Sequence, residues 1–319
     1  MEIDDRATQS AFSLILQTVI RPFKPRLVTP KPTHTAGSPR LTPHKSATRS
    51  VKVVERKHGD IFLYDLKSGT HAASASGAST GLRMYYFAGG GWQGPPSSQH
   101  WKFCAELVQK IPSLTVTLVS PPLAPGSPAA TTFPILSRLY ASVLEEAGEA
   151  GERVIFAGDS SGGNLVLCLA LHALKEDVGS PKPHALLVVS PAVELRPTKK
   201  DGTVQTISRK DPVLTVESHD GEAKTWAQDV DPAVPWISPI TADASVLAKA
   251  GVKLIGVTGG WDILTPSALK FRDTAREQGV VGAWLNWDKQ MHCYPLAFMY
   301  KLPEAVQAKD WILEQMKKI

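Results

Sequence analysis

The sequence predicts an α/β fold, a mostly parallel twisted sheet flanked by helices, and three observations carry that prediction. From about residue 51, short β-rich runs alternate with helical stretches, the pattern of a sheet covered on both faces. Residues 165–171 are apolar almost all round, as a helix buried against the centre of a sheet must be. Between a strand and that helix stands a serine bracketed by glycines.

Residues 1–50 read as a basic, Pro-rich arm. Within it Ala11 to Ile20 can form a short helix able to cover an apolar surface. The prolines that follow (Arg21-Pro22, Lys24-Pro25, Thr29-Pro30, Lys31-Pro32, Thr42-Pro43) forbid a continuous one. Residues 51–55 and 61–66 form an expected antiparallel pair around His58-Gly59-Asp60. Further strands are expected at 82–88, 114–119, 154–158, 185–190, 252–257 and 283–287. Helices are expected at 101–110, 135–147, 165–175 and 267–278, and a closing one at 304–318 behind Pro303. Residues of about 196–250 carry no clear strand. An insertion that long between sheet strands predicts functional cover, and with the arm it reads as a cap on the 51–319 unit.

Composition confines the function. With 319 residues, 43% of them hydrophobic and 20% charged, the chain can build a large core. No run approaches the roughly 20 apolar residues that cross a bilayer, so no transmembrane segment is expected. Met1-Glu2-Ile3-Asp4-Asp5 is acidic where a secretory signal or mitochondrial presequence is basic, which predicts a cytoplasmic protein. Cys104, Cys168 and Cys293 are odd in number and far apart, which predicts reduced thiols and no zinc site. The net charge of +5 sits at the front. The first 60 residues hold 11 Lys/Arg against 5 Asp/Glu, and the remainder 24 against 25. Without interleaved aromatics or a nucleic-acid-binding motif, that arm predicts a solvated segment and no nucleic-acid partner. A monomer or homodimer is expected.

The chemistry centres on Gly158-Asp159-Ser160-Ser161-Gly162-Gly163-Asn164, which follows the strand at 154–158 and opens the apolar helix. A nucleophilic serine must sit on a sharp turn to present its hydroxyl at the carboxyl edge of the sheet. Side chains two residues to either side would collide there, so glycines flank it. A chymotrypsin-like protease also has a Gly-Asp-Ser-Gly-Gly run, but its all-β barrels are incompatible with this alternation. Upstream, Ala88-Gly89-Gly90-Gly91-Trp92 ends a strand. Its glycines let backbone N–H groups approach a substrate, so Gly90, Gly91 and Ser161 are the expected oxyanion donors. No Gly-Lys-Ser/Thr follows and no G-x-G-x-x-G is present, which argues against a nucleotide.

Where a G-x-S-x-G turn joins strand to helix in a sheet of this kind, an acid and then a histidine follow the serine in the chain. His172 and His184 belong to a buried helix and a strand entrance, and His219 to the insertion. His292 follows the last strand and is the expected base. Asp262, in Gly259-Gly260-Trp261-Asp262-Ile263-Leu264-Thr265-Pro266, is the expected acid, and Asp288 its competitor. Trp92, Trp226 and Trp236 are candidates for an apolar pocket wall.

Together these runs resemble the hormone-sensitive-lipase-like branch of the α/β hydrolases, whose esterases show His-Gly-Gly-Gly and Gly-Asp-Ser-Ala-Gly-Gly. Leu123-Ala124-Pro125 and Ser238-Pro239 echo further family motifs, and the likeness covers roughly residues 80–319. The arm also resembles that of fungal members. Ala88 stands where the family has histidine, Ser161 where it has alanine, and Gly126 where an acidic residue follows Leu-Ala-Pro. The resemblance implies an α/β-hydrolase fold and a serine carboxylesterase acting on a small to medium, hydrophobic ester, with no metal or organic cofactor. An amidase such as an arylformamidase would use the same triad. Lyase or cyclase chemistry in secondary metabolism, and a catalytically dead binding module, are the remaining alternatives.

Overall fold

A computed structural model of the chain describes residues 1–24, 34–69, 81–177, 179, 181–198 and 200–319. The chain opens with strand β1 (Glu2–Arg6), helix α1 (Ala11–Ile20) and the single turn α2 (Lys45–Thr48). The hairpin of β2 (Lys52–His58) and β3 (Ile61–Lys67) leads into β4 (Leu82–Phe87), α3 (Ser98–Lys110) and β5 (Leu114–Ser120). Then come α4 (Ala129–Glu149), β6 (Arg153–Asp159), α5 (Ser161–Glu176) and β7 (Ala185–Val189). An insertion carries α6 (Gly202–Ser208), α7 (Val216–Ala227) and α8 (Ser245–Ala250). The chain closes with β8 (Lys253–Trp261), α9 (Thr265–Glu277), β9 (Gly282–Met291) and α10 (Pro303–Lys317).

All nine strands form one sheet in the order β1-β9-β8-β7-β6-β4-β5-β3-β2. Only the β2–β3 and β3–β5 pairings are antiparallel. The predicted α/β architecture is the observed one. Every residue of β5 and of β7 is buried, because helices cover both faces and leave no solvent side to alternate with. One core cluster packs α4, α5 and α9 on one face, and a second packs α3 and α10 on the other.

The topology creates the site. The chain leaves β4 in one direction to form β5, then crosses back over β4 to form β6 on its other side. At such a reversal a crevice opens beyond the carboxyl ends of the strands. The loop after β4 and the turn after β6 are therefore neighbours, and Phe87 lies in register with Gly158. Likewise β8 and β9 are adjacent, with Trp261 opposite Met291, so the loops that follow them emerge together.

Four features depart from expectation. Residues 2–6 are not arm but an edge strand, parallel to β9. Their polar sequence hides this, and Arg6 pairs with Asp4 along the strand. Helix α1 covers apolar surface only in part: Leu16 and Ile20 pack against the core, but Ser13 and Gln17 are its buried residues and Phe12, Ile15 and Val19 are exposed. Helix α4 starts at Ala129, well before the expected 135, with Pro134 inside it. A proline early in a helix forfeits one N–H bond, and the buried face of Phe133, Leu136 and Tyr140 outweighs that loss. Finally, β8 and β9 run on to Trp261 and Met291.

The insertion after β7 holds helices and no strand among its described residues. Asp201 caps α6, and a Thr215–Ser218 capping box starts α7. The arm reaches it through Lys24, whose Nζ donates to the carbonyls of Ser208 and Asp211 at 2.8 and 3.0 Å. The arm's Thr29-Pro30 and Lys31-Pro32 lie outside the described residues. Among the described residues no helix is long and apolar enough to cross a membrane.

Candidate active site

Ser160 stands between β6 and α5 with φ 53° and ψ −121°, a conformation that costs a non-glycine residue of order 1–3 kcal/mol. The strain is held by neighbours. Its N–H donates to Val189 O at 2.9 Å, and its carbonyl accepts from the N–H groups of Asn164 and Ala192. The flanking glycines are sterically required. A Cβ on Gly158 would lie 2.5 Å from the Gly162 carbonyl carbon, and one on Gly162 only 2.0 Å from Phe87 O. The elbow is thus wedged between β4 and β7, and the Ser160 side chain is left partly exposed beyond the strand ends.

The glycine loop turns through three successive left-handed residues, Gly90 (φ 142°), Gly91 (φ 60°) and Trp92 (φ 57°). Gly94 N–H closes the turn on Gly90 O at 2.9 Å. A Cβ on Gly90 would strike Gly94 O at 2.6 Å. One on Gly91 would strike the Glu222 carboxyl carbon at 2.2 Å, so α7 of the insertion lies directly against this loop. Trp92 stacks on Trp226 of α7, with ring centroids 6.0 Å apart and planes within 9°, and both rings are buried. Trp236 packs elsewhere, against Phe133 at 5.1 Å.

What holds the glycine loop down was not legible in the sequence. Asp159, wholly buried, accepts from Tyr86 Oη at 2.7 Å and from Gly89 N–H at 3.1 Å through Oδ1. Its Oδ2 meets His100 Nε2 at 3.1 Å. Burial alone would raise this carboxyl, but His100, Tyr86 and the Gly89 amide outweigh it and hold Asp159 below its ordinary range. With alanine at 88, the loop is anchored by this buried carboxylate. The departure at Gly126 also has a packing reason: a Cβ there would lie 2.5 Å from His34 O of the arm.

Asp262, with no exposed surface, places Oδ2 2.8 Å from His292 Nδ1, while Oδ1 accepts from Leu264 N–H at 2.9 Å. Asp288 instead lies exposed within β9 and accepts from Lys289 N–H. Burial disfavours the His292 imidazolium, yet the Asp262 carboxylate overcomes it and sets the pKa well above its ordinary value. On the other ring edge, His292 Nε2 meets Cys293 Sγ at 3.4 Å. The Ser160 hydroxyl and the His292 ring make no hydrogen bond to each other. Burial pushes the Cys293 thiol up to about 12, so it is neutral and offers the imidazole only a weak contact.

Sequence reasoning also missed Asp211, a carboxylate with no exposed surface behind Asp262. Its Oδ1 accepts from Val213 and Leu214 N–H at 2.7 and 2.9 Å, and Oδ2 from Ile263 N–H at 3.1 Å. It thereby ties the insertion to the acid loop. Burial and the charge of Asp262 raise its pKa from 3.8 to about 6. The native state therefore holds this proton more tightly than the unfolded chain, so stability falls as pH rises through that window. In Asp211→Asn that fall is expected to vanish. Relative to wild type the variant gains up to about 3 kcal/mol between the two ends of the window. Urea unfolding at a series of pH values checks this, and parallel curves for the two proteins would refute it.

The remaining expected site residues separate by position. Gly90, Gly91 and Ser161 lie at the adjoining ends of β4 and β6, and Asp262 and His292 at those of β8 and β9. His172 packs edge-on to Phe133, and His219 is buried with Nε2 3.3 Å from Glu194 O.

Comparison with known proteins agrees with this fold. A family model described as alpha/beta hydrolase fold matches residues 84–296. The triacylglycerol lipase of Mycobacterium tuberculosis is 24% identical over 213 residues, 67% of this chain and 42% of that protein. Human hormone-sensitive lipase is 28% identical over 134 residues, 41% of this chain and 12% of that one. The chain thus spans less than half the length of either relative. Neither is fungal, so they lend nothing to the likeness of the arm to fungal members. Among solved structures, a mutant of the esterase E40 superposes with a TM-score of 0.77 at 24% identity, covering 97% of this chain and 99% of that one. The serine elbow between β6 and α5, the acid and histidine beyond β8 and β9, and a family match across most of the sheet lead to one conclusion: the chain belongs to the alpha/beta hydrolase fold family.

Proposed function

We propose that this protein is a serine hydrolase of carboxylic esters, working through an acyl-enzyme on Ser160 with Asp262 and His292 as its acid and base. The observation that carries the reading is the strained Ser160 elbow beside a buried, hydrogen-bonded Asp262–His292 pair. The names of the relatives, lipases and an esterase, support the same substrate class.

In the proposed reaction His292 Nε2 exchanges its thiol contact for the Ser160 hydroxyl and takes the proton as Oγ attacks the ester carbonyl. Asp262 holds the Nδ1 proton in place and stabilises the imidazolium. The N–H groups of Gly90, Gly91 and Ser161 receive the oxyanion, each worth about 3 kcal/mol of barrier. The imidazolium then protonates the departing alcohol. Water, deprotonated by the same nitrogen, attacks the acyl carbon and frees the acid and the serine. The stacked Trp92 and Trp226, both buried, brace the glycine loop against α7 of the insertion. The insertion and the arm act as the cap over this crevice, joined through Lys24.

The test is fluorophosphonate labelling followed by peptide mass spectrometry. Phosphonylation is expected on Ser160 alone, and it should be lost in His292→Ala. Labelling elsewhere, or undiminished labelling of the histidine variant, would overturn the assignment. A p-nitrophenyl ester series from acetate to octanoate then reads the acyl preference.

A further inference from the structure

Behind the Asp262–His292 pair lies a second buried carboxylate that the proposed reaction does not use. Asp211 comes from the insertion, between α6 and α7, and like Asp262 it has no exposed surface. The two aspartates hold consecutive amides of one loop. Asp211 Oδ2 accepts from Ile263 N–H at 3.1 Å, and Asp262 Oδ1 from Leu264 N–H at 2.9 Å. Asp211 is itself fixed from several sides. Its N–H donates to Ile207 O at 2.8 Å at the end of α6, and its carbonyl accepts from Lys24 Nζ of the arm. Its Oδ1 closes a turn on the N–H groups of Val213 and Leu214, just ahead of the Thr215 cap of α7. The insertion thus reaches, through one carboxylate oxygen, the peptide next to the acid.

Position and charge act in the same direction. Asp262 divides its oxygens between His292 Nδ1 and an amide two residues on in its own loop. Holding the acid square to the imidazole therefore needs a tie from outside that loop, and the Ile263–Asp211 bond is such a tie. Two carboxylates beside one ring also put a second negative charge near the imidazolium. Burial and the Asp262 charge raise the Asp211 pKa to about 6, against the pull of His292. His292 titrates well above its ordinary 6.5, where Asp211 is already ionised. Other groups face the cluster: Lys24 and Arg21 from the arm, Glu217 and His219 from α7, and Asp159 and Cys293 beyond the ring. Lys24 and Glu217 are opposite charges, burial keeps His219 neutral, and the Cys293 thiol is neutral.

We propose that Asp211 is a positioning residue for the acid–base pair: it fixes the loop that carries Asp262 and adds a second negative charge that keeps His292 a strong base. It acts through Asp262 and His292 and not on the reacting atoms, so the seating of the insertion is coupled to the strength of the base. The kinetic consequence rests on the hydrolase reading above; the effect on the His292 imidazole does not.

The experiment follows the His292 imidazole by NMR titration of the full chain, its resonance identified by its loss in His292→Gln. In the wild-type protein this resonance should show a second, smaller inflection near pH 6, where Asp211 ionises. Asp211→Asn keeps an acceptor for Val213 and Leu214 but loses the charge and turns an amide toward Ile263 N–H. In that variant the His292 midpoint should fall by about one pH unit. On a soluble p-nitrophenyl ester, kcat at the plateau should drop about tenfold while KM stays within about twofold, because the change loosens the base and not the ester. Near-UV circular dichroism checks that the variant is folded. An unmoved midpoint in the folded variant, a kcat within about twofold of wild type, or a wild-type titration without the second inflection would overturn the proposal. Failure of the hydrolase reading would show differently, as a wild-type protein left unlabelled at Ser160 by a fluorophosphonate while the His292 midpoint still moves in Asp211→Asn.

Discussion

Asp262→Asn is expected to lower kcat/KM by about four orders of magnitude and to move its acidic limb to lower pH. Two physical effects combine. An asparagine amide facing Nδ1 of His292 favours the wrong tautomer, so Nε2 carries the proton it should accept. The carboxylate that raises the imidazole is also gone, and burial, which opposes the charged ring, is left to act alone. The sign follows directly. The base works only when neutral, so in the wild-type protein the rate should climb with pH until the elevated His292 pKa is passed. In the variant the residual rate should level off earlier. Pre-steady-state or pH-stat rates on a soluble ester across the pH range measure both effects. A variant within tenfold of wild type, or an unmoved limb, would remove Asp262 from the proposed mechanism.

Asp159→Ala should be the most damaging single change to the fold near the site. It leaves His100, the Tyr86 hydroxyl and the Gly89 amide buried without their shared acceptor, at a cost of about 3–5 kcal/mol. That is a large part of the stability of a typical domain. Because the carboxyl is held below its ordinary range, its contribution is present above the ordinary carboxylate pKa of 3.8 and is lost as pH falls through the depressed native value. The gap between wild type and variant should therefore narrow in acid. The glycine loop should also lose its register against Ser160, and kcat should fall with little change in KM if the oxyanion is served less well. Asp159→Asn, which keeps one acceptor but turns an amide toward His100, should fall between the two. Chemical denaturation at neutral and acid pH gives the first result and steady-state kinetics the second. An alanine variant as stable as wild type would show that the network carries no weight.

The legible part of this protein was the part set by local backbone geometry and by chain order. The elbow at Ser160 could be read because a serine at φ 53° between strand and helix leaves no room for side chains at Gly158 and Gly162, and that demand is written within five residues. The Asp262–His292 pair could be read because the strands before them are adjacent and consecutive, so the two side chains emerge side by side. The strands themselves could be read wherever both faces are buried, since continuous apolar runs such as 114–120 have no other use.

Packing at long sequence separation decided the rest. Tyr86, His100 and Gly89 meet Asp159 across 59 to 73 positions, and Asp211 meets Ile263 across 52. No periodicity encodes such encounters, which depend on where the sheet sets each element down. The edge strand β1 was hidden by its polar sequence. The orientation of α1 was hidden for the opposite reason. Its apolar pattern predicts burial, yet the buried Glu304 offers better partners to Ser10 and Ser13 than the core offers to Phe12 or Ile15. By itself the sequence determined most of the sheet, the turn at Ser160 and the chain order of Asp262 and His292, because these follow from backbone sterics and chain direction. Tertiary structure alone decided which buried polar groups satisfy one another, and so which face of the first helix is exposed.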